Sequence, residues 1–313
     1  MLKSARIDNA GWSAVCLYPG RVDVARVRRV RDARPRVELL ESYERGKGDK
    51  AALASLGKRF GLKKTRCTTL LSVGEYQILQ VEAPKAADPA ERLEELRARV
   101  GGMIDTPVAH ATLDAVDIPT AELAPGRAKN AFAVVAGNAA IAPRVVLFHE
   151  AGVGLEAIDI PELAQRNIAA YCEQPNRGLA FLSFGEQDGL LTFTCNGELY
   201  MHRHIEIGLA QLLTDDMEKR TGLFDRIGLE LQRSLDNFDR SYGFIPVNRL
   251  LLGPQPEAQA LQGFLRDYLS MTVDVLDLAD IFDFPAVPEL KRPDRQAACL
   301  LTLGAALRED VPA

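Results

Sequence analysis

Asn196-Gly197 stands between two apolar runs, Leu190 to Cys195 and Leu199 to Ile207. An Asn-Gly pair supplies the positive-φ positions of a tight turn, so these runs read as an antiparallel hairpin. Leu179 to Phe184 precedes them across a polar turn, Gly185 to Gly189, and reads as a further strand. The beginning of the chain has a similar layout. Ser13 to Leu17 and Val22 to Val30 flank the turn Tyr18-Pro-Gly20, and Val37 to Glu41 follows as a third strand. Each half of the chain therefore opens on a hairpin-led sheet.

Helical spacing fills much of the rest. Lys50 to Phe60 carries Leu53, Leu56 and Phe60 on one face, and Gly61 supplies the stop. Asp88 caps a second helix with Pro89 at its first position, and Gly101-Gly102 ends it. Residues 66–73 and 77–83 read as strands, 108–118 as extended, and Pro119 to Lys129 as a loop. Residues 130–172 alternate strand, helix, strand, helix, the rhythm of a sheet with helices packed on it. In the second half, Leu209 to Tyr242 reads as a helical stretch, followed by a strand at Arg249 to Leu252. A helix at 258–270, a strand at 273–276 and a helix at 296–308 complete the chain. No sequence repeat links the halves. A duplicated, hairpin-led plan with a closing helix is the layout of the two-lobed actin-like (ribonuclease-H-like) α/β fold, with mixed sheets and flanking helices.

Composition excludes several classes. The 313 residues carry 38 basic and 43 acidic side chains, a net charge of -5, which argues against a nucleic-acid partner. The run Asn130 to Pro143 falls short of the ~18–20 apolar residues that a membrane span needs. Lys3 and Arg6 could open a secretory signal, but Asp8, Asn9 and Gly11 interrupt any apolar stretch after them. Five widely spaced cysteines with no CxxC pair read as buried thiols of a cytoplasmic protein. Walker A, GxSxG, HExxH and GxGxxG motifs are all missing.

Several segments resemble a known family. They are Gly74-Glu-Tyr-Gln-Ile-Leu-Gln-Val-Glu-Ala-Pro84, Ala151 to Asn167 (AGVGLEAIDIPELAQRN), Asn196 to Gly208, and Glu230 to Leu235 with Val247 to Leu252. Leu303-Gly-Ala-Ala-Leu-Arg308 closes the series. In this order they are similar to the MshI family of MSHA-type pilus biogenesis proteins, within the PilM-like, actin-like group. The resemblance implies a cytoplasmic scaffold or adaptor of type IV pilus assembly, peripheral at the inner membrane. Its implied partner is a bitopic inner-membrane protein of PilN or MshJ type, bound through that protein's cytoplasmic N-terminus, within the pilus assembly platform. It also implies a first lobe at 1–175 with a subdomain inserted at about 66–125, a second lobe at 176–290, and a helix within 291–313 returning to the first. The partner peptide would lie near the insertion, where Ile78, Leu79, Val81 and Met103 are candidate contacts, although most of them read as core packing. The other readings are an ATP-driven switch in the same machinery and a GspL-like adaptor of type II secretion.

Actin-like ATPases hold phosphates between two hairpin turns, using backbone N–H groups, with nearby carboxylates holding Mg²⁺ through water. Their pattern is DxG in each half and a GG pair by the adenosine. Here Cys16 and Leu17 stand where the first carboxylate belongs, and Asp8 to Gly11 misses the spacing by one. Ser183-Phe-Gly185 replaces the second DxG, and Leu252-Gly253-Pro254 replaces the GG pair. Ser183, Gly185 and Gly253 are thus expected to mark a vestigial nucleotide site, with no catalytic residue. ATP with Mg²⁺ is the cofactor an intact site would take, and none is expected. Glu186 and Asp188 are the nearest replacement carboxylates, and read as polar turn residues.

The arginine run Arg21, Arg26, Arg28, Arg29, Arg31, Arg34 and Arg36 could meet anionic lipid, but reads as a solvated hairpin. His202 and His204 alternate along a strand and so share a face, which would make half a zinc site. With no third ligand nearby in sequence they read as packing residues, and no metal is expected. Asp277, Asp280 and Asp283 lack the glycine and terminal glutamate of a calcium loop.

Overall fold

The first hairpin pairs β1 (Ser13–Tyr18) with β2 (Arg21–Arg28) in antiparallel register, from Ser13 opposite Arg26 to Tyr18 opposite Arg21. This is a computed structural model, which describes residues 11–45, 48–119, 126 and 128–309. Gly20 turns the hairpin at φ +78°, a region that a side chain makes costly. β3 (Arg36–Glu44) extends the sheet beside β2. On the other side β4 (Cys67–Leu70) runs parallel to β1, and β8 (Leu155–Asp159) runs parallel to β4. The order is β3-β2-β1-β4-β8.

The second sheet repeats this order. It holds β9 (Gly178–Phe184), β10 (Gly189–Cys195), β11 (Glu198–Ile205), β12 (Val247–Leu252) and β13 (Thr272–Val275) in the sequence β11-β10-β9-β12-β13. Asn196 and Gly197 turn the β10–β11 hairpin with φ of +53° and +77°. The shared topology is present strand by strand, with two antiparallel pairings followed by two parallel ones.

A third, antiparallel sheet stands apart, ordered β5 (Tyr76–Glu82), β7 (Asn130–Gly137), β6 (Ala111–Ile118). This corrects two expectations. The strand at 67–70, expected to open the inserted subdomain, lies inside the first sheet. The run Phe132 to Ala136, read as part of the same α/β rhythm as Leu155 to Asp159, is the centre of the separate sheet. Both are short runs whose buried faces could serve any sheet. β7 is apolar from Ala131 to Ala136 because it is covered twice. Ala133 and Val135 pack under α2 (Pro89–Val100), while Phe132 faces the second sheet's core. Much of the expected loop at 119–129 lies outside the described residues.

Local signals set most helix ends. Gly61 ends α1 (Asp49–Phe60) at φ +66°, donating its N–H to the Gly57 carbonyl. The Asp88 side chain accepts from the N–H groups of Ala90 and Glu91 to cap α2. α3 (Asn138–Glu150) and α4 (Pro161–Ala169) follow β7 and β8. The expected helix from 209 to 242 is two, α5 (Leu209–Leu212) and α6 (Met217–Tyr242), because Asp216 caps the second by accepting from Lys219 N–H at 3.1 Å. α7 (Ala258–Tyr268) lies beside β13, and α8 (Pro293–Ala306) covers β1, β2 and β4.

α8 also crosses α4 closely. A Cβ on Gly304 would lie 2.1 Å from the Ala164 carbonyl oxygen, and Asn167 Nδ2 donates to the Gly304 carbonyl at 2.9 Å. One apolar cluster runs from Ala14 and Cys16 in the first sheet, through Ile168 and Leu303, to Phe181 and Leu251 in the second. The two sheets therefore share a core.

Candidate functional site

The turns of the β1–β2 and β9–β10 hairpins face each other across a cleft of about 380 Å³, with α8 along one wall. Tyr18, Leu70, Glu186, His204, Ala298 and Leu301 are among its lining residues. This is the position where the fold brings two hairpin turns together.

The first turn presents no carboxylate. Burial pushes the Cys16 thiol up to about 12, so it stays protonated at neutral pH. The Tyr18 hydroxyl bonds to Thr302 Oγ1 on α8 at 3.0 Å. Asp23, the acid of this hairpin, is fully buried and paired with Arg21 Nε at 3.1 Å, and it also accepts from the Ser42 hydroxyl. Asp8 lies outside the described residues.

In the second turn the Ser183 hydroxyl donates to Gln165 Oε1 at 2.5 Å. Gln165 Nε2 in turn donates to the carbonyls of Phe181 and Leu190 and to Thr192 Oγ1, at 2.9–3.1 Å. Ser183 thus anchors α4 to the second sheet. Gly185 N–H donates within the turn to the Asp188 carbonyl at 2.8 Å. Gly253 N–H donates to the Leu182 carbonyl at 2.7 Å, and a Cβ there would lie 2.8 Å from that of Ser183. The structure therefore sets Gly253 against Ser183, with Gly185 at the adjoining turn. Gly253 is glycine because β9 and the loop after β12 touch there. The N–H groups of both glycines are engaged by protein carbonyls.

Glu186 and Asp188 both line the cleft, and both are paired. Arg21 joins the two turns: Nη1 donates to Glu186, and Nη2 donates to the Ala298 carbonyl on α8 at 2.9 Å. Asp188 Oδ2 lies 2.7 Å from His204 Nδ1, and His204 Nε2 lies 2.8 Å from Glu162 Oε1. Burial alone would lower His204, but hydrogen bonds to these two carboxylates raise it to about 9. Burial alone would raise Glu162, yet the hydrogen bond from His204, the neighbouring His202 ring and the hydrogen bond from Tyr76 hold it below the ordinary carboxylate value. The Tyr76 hydroxyl donates to Glu162 Oε2 at 2.7 Å. His202 is lowered, mainly by burial, and its Nδ1 lies 3.7 Å from Glu162 Oε1.

Sequence reasoning found the two histidines on one face and missed Glu162, which is fully buried at the start of α4. The available signal was an acid directly after Ile160-Pro161, at the mouth of a short helix. The role of Arg21 was equally hidden within the arginine run. Most of that run is paired within the chain, largely at its surface. Arg26 donates to Ser13 and the Phe60 carbonyl, Arg28 pairs with Glu38, Arg34 donates to the Ala279 carbonyl, and Arg36 pairs with Asp283. Asp277 caps the turn at Ala279 and accepts from Gln296. Of the residues offered for a partner peptide, Val81 is buried, Ile78 and Leu79 are half-buried, and Met103 is exposed. No helix among the described residues is long and apolar enough to cross a membrane.

No family model and no curated protein matches the sequence. Solved structures do. A structure described as the PilM-PilN type IV pilus biogenesis complex superposes with a TM-score of 0.69 at 18% identity, over 96% of this chain and 98% of that one. A protein of unknown function with an actin-like ATPase fold from Bacteroides thetaiotaomicron superposes with a TM-score of 0.51 at 8% identity, over 89% and 95%. The cytoplasmic domain of EpsL, an inner-membrane component of the Vibrio cholerae type II secretion system, gives 0.50 at 13% identity, over 96% and 97%. With two five-stranded sheets of one strand order and this likeness across nearly its whole length, the chain has the two-lobed actin-like fold.

Proposed function

We propose that this chain is a scaffold or adaptor of type IV pilus assembly that binds the cytoplasmic N-terminus of a PilN-like bitopic inner-membrane protein. The observation that carries the reading is the near-complete structural likeness to the PilM-PilN complex. The sequence motifs narrow it to an MSHA-type pilus, with an MshJ-like partner holding the protein at the inner-membrane surface.

In this reading the nucleotide site is degraded. Supporting it, Cys16 and Leu17 occupy the first carboxylate's place, the Gly185 and Gly253 N–H groups are engaged, and Glu186 and Asp188 are paired with Arg21 and His204. A nucleotide-driven hinge would also have to part the apolar cluster that joins the sheets. The likeness to the EpsL domain favours, as a second reading, an adaptor of type II secretion.

Titration of the full chain with synthetic N-terminal peptides of PilN-like and MshJ-like proteins tests this. Saturable micromolar binding of one of them is the expected result. Binding of neither would refute the pilus reading. A parallel titration with ATP and Mg²⁺ is expected to give no heat, and saturable micromolar heat would replace the degraded site with a nucleotide-dependent switch.

A further inference from the structure

Glu162, His202 and His204 come from α4 and from β11, elements on opposite sides of the inter-lobe boundary. One ligand-type atom from each lies within 4.8 Å of the other two. We propose that these three side chains form a binding site for a divalent transition-metal ion of the zinc class, joining the two lobes beside the cleft. The inference does not depend on the pilus reading.

Four observations carry it. Two imidazoles and one carboxylate are a donor set that zinc takes when it keeps a further position open. The donor atoms are nearly in place. Tetrahedral ligands ~2.1 Å from an ion stand ~3.4 Å apart, and here Glu162 Oε1 is 2.8 Å from His204 Nε2 and 3.7 Å from His202 Nδ1. Side-chain adjustment supplies the difference. His202 Nδ1 is buried and has no hydrogen-bond partner, so it has a free lone pair in the tautomer protonated at Nε2. Finally, the groups that orient metal ligands are present. Asp188 accepts from His204 Nδ1–H, which leaves Nε2 for the ion, and Tyr76 holds Glu162 Oε2, which leaves Oε1.

The wider setting fits a cation. Glu162 is fully buried, and its ion-pair partners are these two histidines. A buried carboxylate whose charge is answered by imidazoles alone gains a permanent countercharge from the ion. On binding, the proton at His204 Nε2 leaves to solvent and the ion takes its place against Glu162. The cysteines lie elsewhere. Cys16, Cys67, Cys195 and Cys299 are buried, and none of the five belongs to this cluster.

The test is calorimetric titration of the chelator-stripped full chain with Zn²⁺, alongside the visible absorption of the Co²⁺ form. One ion per chain at micromolar affinity is expected, with a Co²⁺ spectrum lacking thiolate charge transfer. His202→Ala should weaken binding at least ~100-fold and Tyr76→Phe ~10-fold, while His149→Ala leaves it unchanged. His204→Ala provides a second ligand variant, and far-UV circular dichroism confirms that each variant is folded. No saturable binding, a thiolate band, or a folded His202→Ala protein with wild-type affinity would each overturn the assignment.

Discussion

Replacing Gly304 by alanine sets two effects of opposite sign against each other. In a free helix the change is favourable by up to ~1 kcal/mol, because glycine loses more backbone entropy on folding. In α8 the new Cβ would stand 2.1 Å from the Ala164 carbonyl oxygen, whereas ordinary contact begins at 3.4 Å. One helix must therefore withdraw by 1.3 Å. A gap of only ~0.5–1 Å already forfeits a quarter to a half of a dispersion contact. The withdrawal would loosen Leu300 and Leu303, which sit in the cluster joining the two sheets. It would also stretch the hydrogen bond from Asn167 to the Gly304 carbonyl. Overpacking costs ~1–3 kcal/mol and the weakened hydrogen bond ~0.5–1.5 kcal/mol, so after the helix gain is subtracted the net loss should be ~1–3 kcal/mol. Gly222 in α6 is the control, since it is exposed and its Cβ would meet nothing within 4 Å. Gly222→Ala should gain ~0.5–1 kcal/mol. Guanidinium unfolding followed by far-UV circular dichroism reads both as midpoint shifts of opposite direction at unchanged slope. A Gly304→Ala protein as stable as wild type would refute the close crossing of α4 and α8.

Arg21→Ala should cost ~2–4 kcal/mol by leaving the buried Asp23 carboxylate with Ser42 as its remaining partner, whereas Glu186→Gln should change stability by less than ~1 kcal/mol because that carboxylate is more than half exposed. The same denaturant titration separates the two, and equal losses would place the role of Arg21 in the inter-turn pair instead. His204 is raised to about 9 from 6.5, so its contribution is complete below about pH 6.5 and is lost as pH rises through about 9. Stability of the chelator-treated protein should therefore fall across that window, His204→Gln should flatten the fall, and an unchanged slope in the variant would show that His204 does not carry it.

Much of this architecture could be read locally. Gly61, Asp88-Pro89 and Asn196-Gly197 each satisfy or turn a backbone by themselves, and the elements they bound lie where the sequence puts them. Partner choice was not legible. Cys67–Leu70 and Asn130–Gly137 are both short apolar runs, and only tertiary packing sends one to the first sheet and the other to the centre of the third. The break at Asp216 was masked because the apolar periodicity resumes in α6 on the same helical pattern. The site shows the same limit. Alternation placed His202 and His204 on one face, but Glu162 reaches them from 42 positions upstream of His204, through the meeting of α4 with β11. Arg21 stands in a run of arginines with nothing local to mark it as the one that crosses to the opposite turn.

The shared core has a consequence for the order of folding. The hydrogen bond between Tyr18 and Thr302 spans 284 positions, and α8 supplies part of the apolar cover over β1, β2 and β4. On a ribosome adding ~5–20 residues per second, β1 emerges tens of seconds at most before α8, and for that interval one face of its sheet lacks its cover. The antiparallel hairpins of β9 to β11 end at Ile205, well before α8 begins at Pro293, whereas β13 ends at Val275, close to it. The hairpins of the second lobe can thus form early, while both sheets wait for α8 to complete the core they share. A chaperone that holds nascent chains would meet the exposed face of β1 and β2 as its binding surface, and would be released when α8 docks.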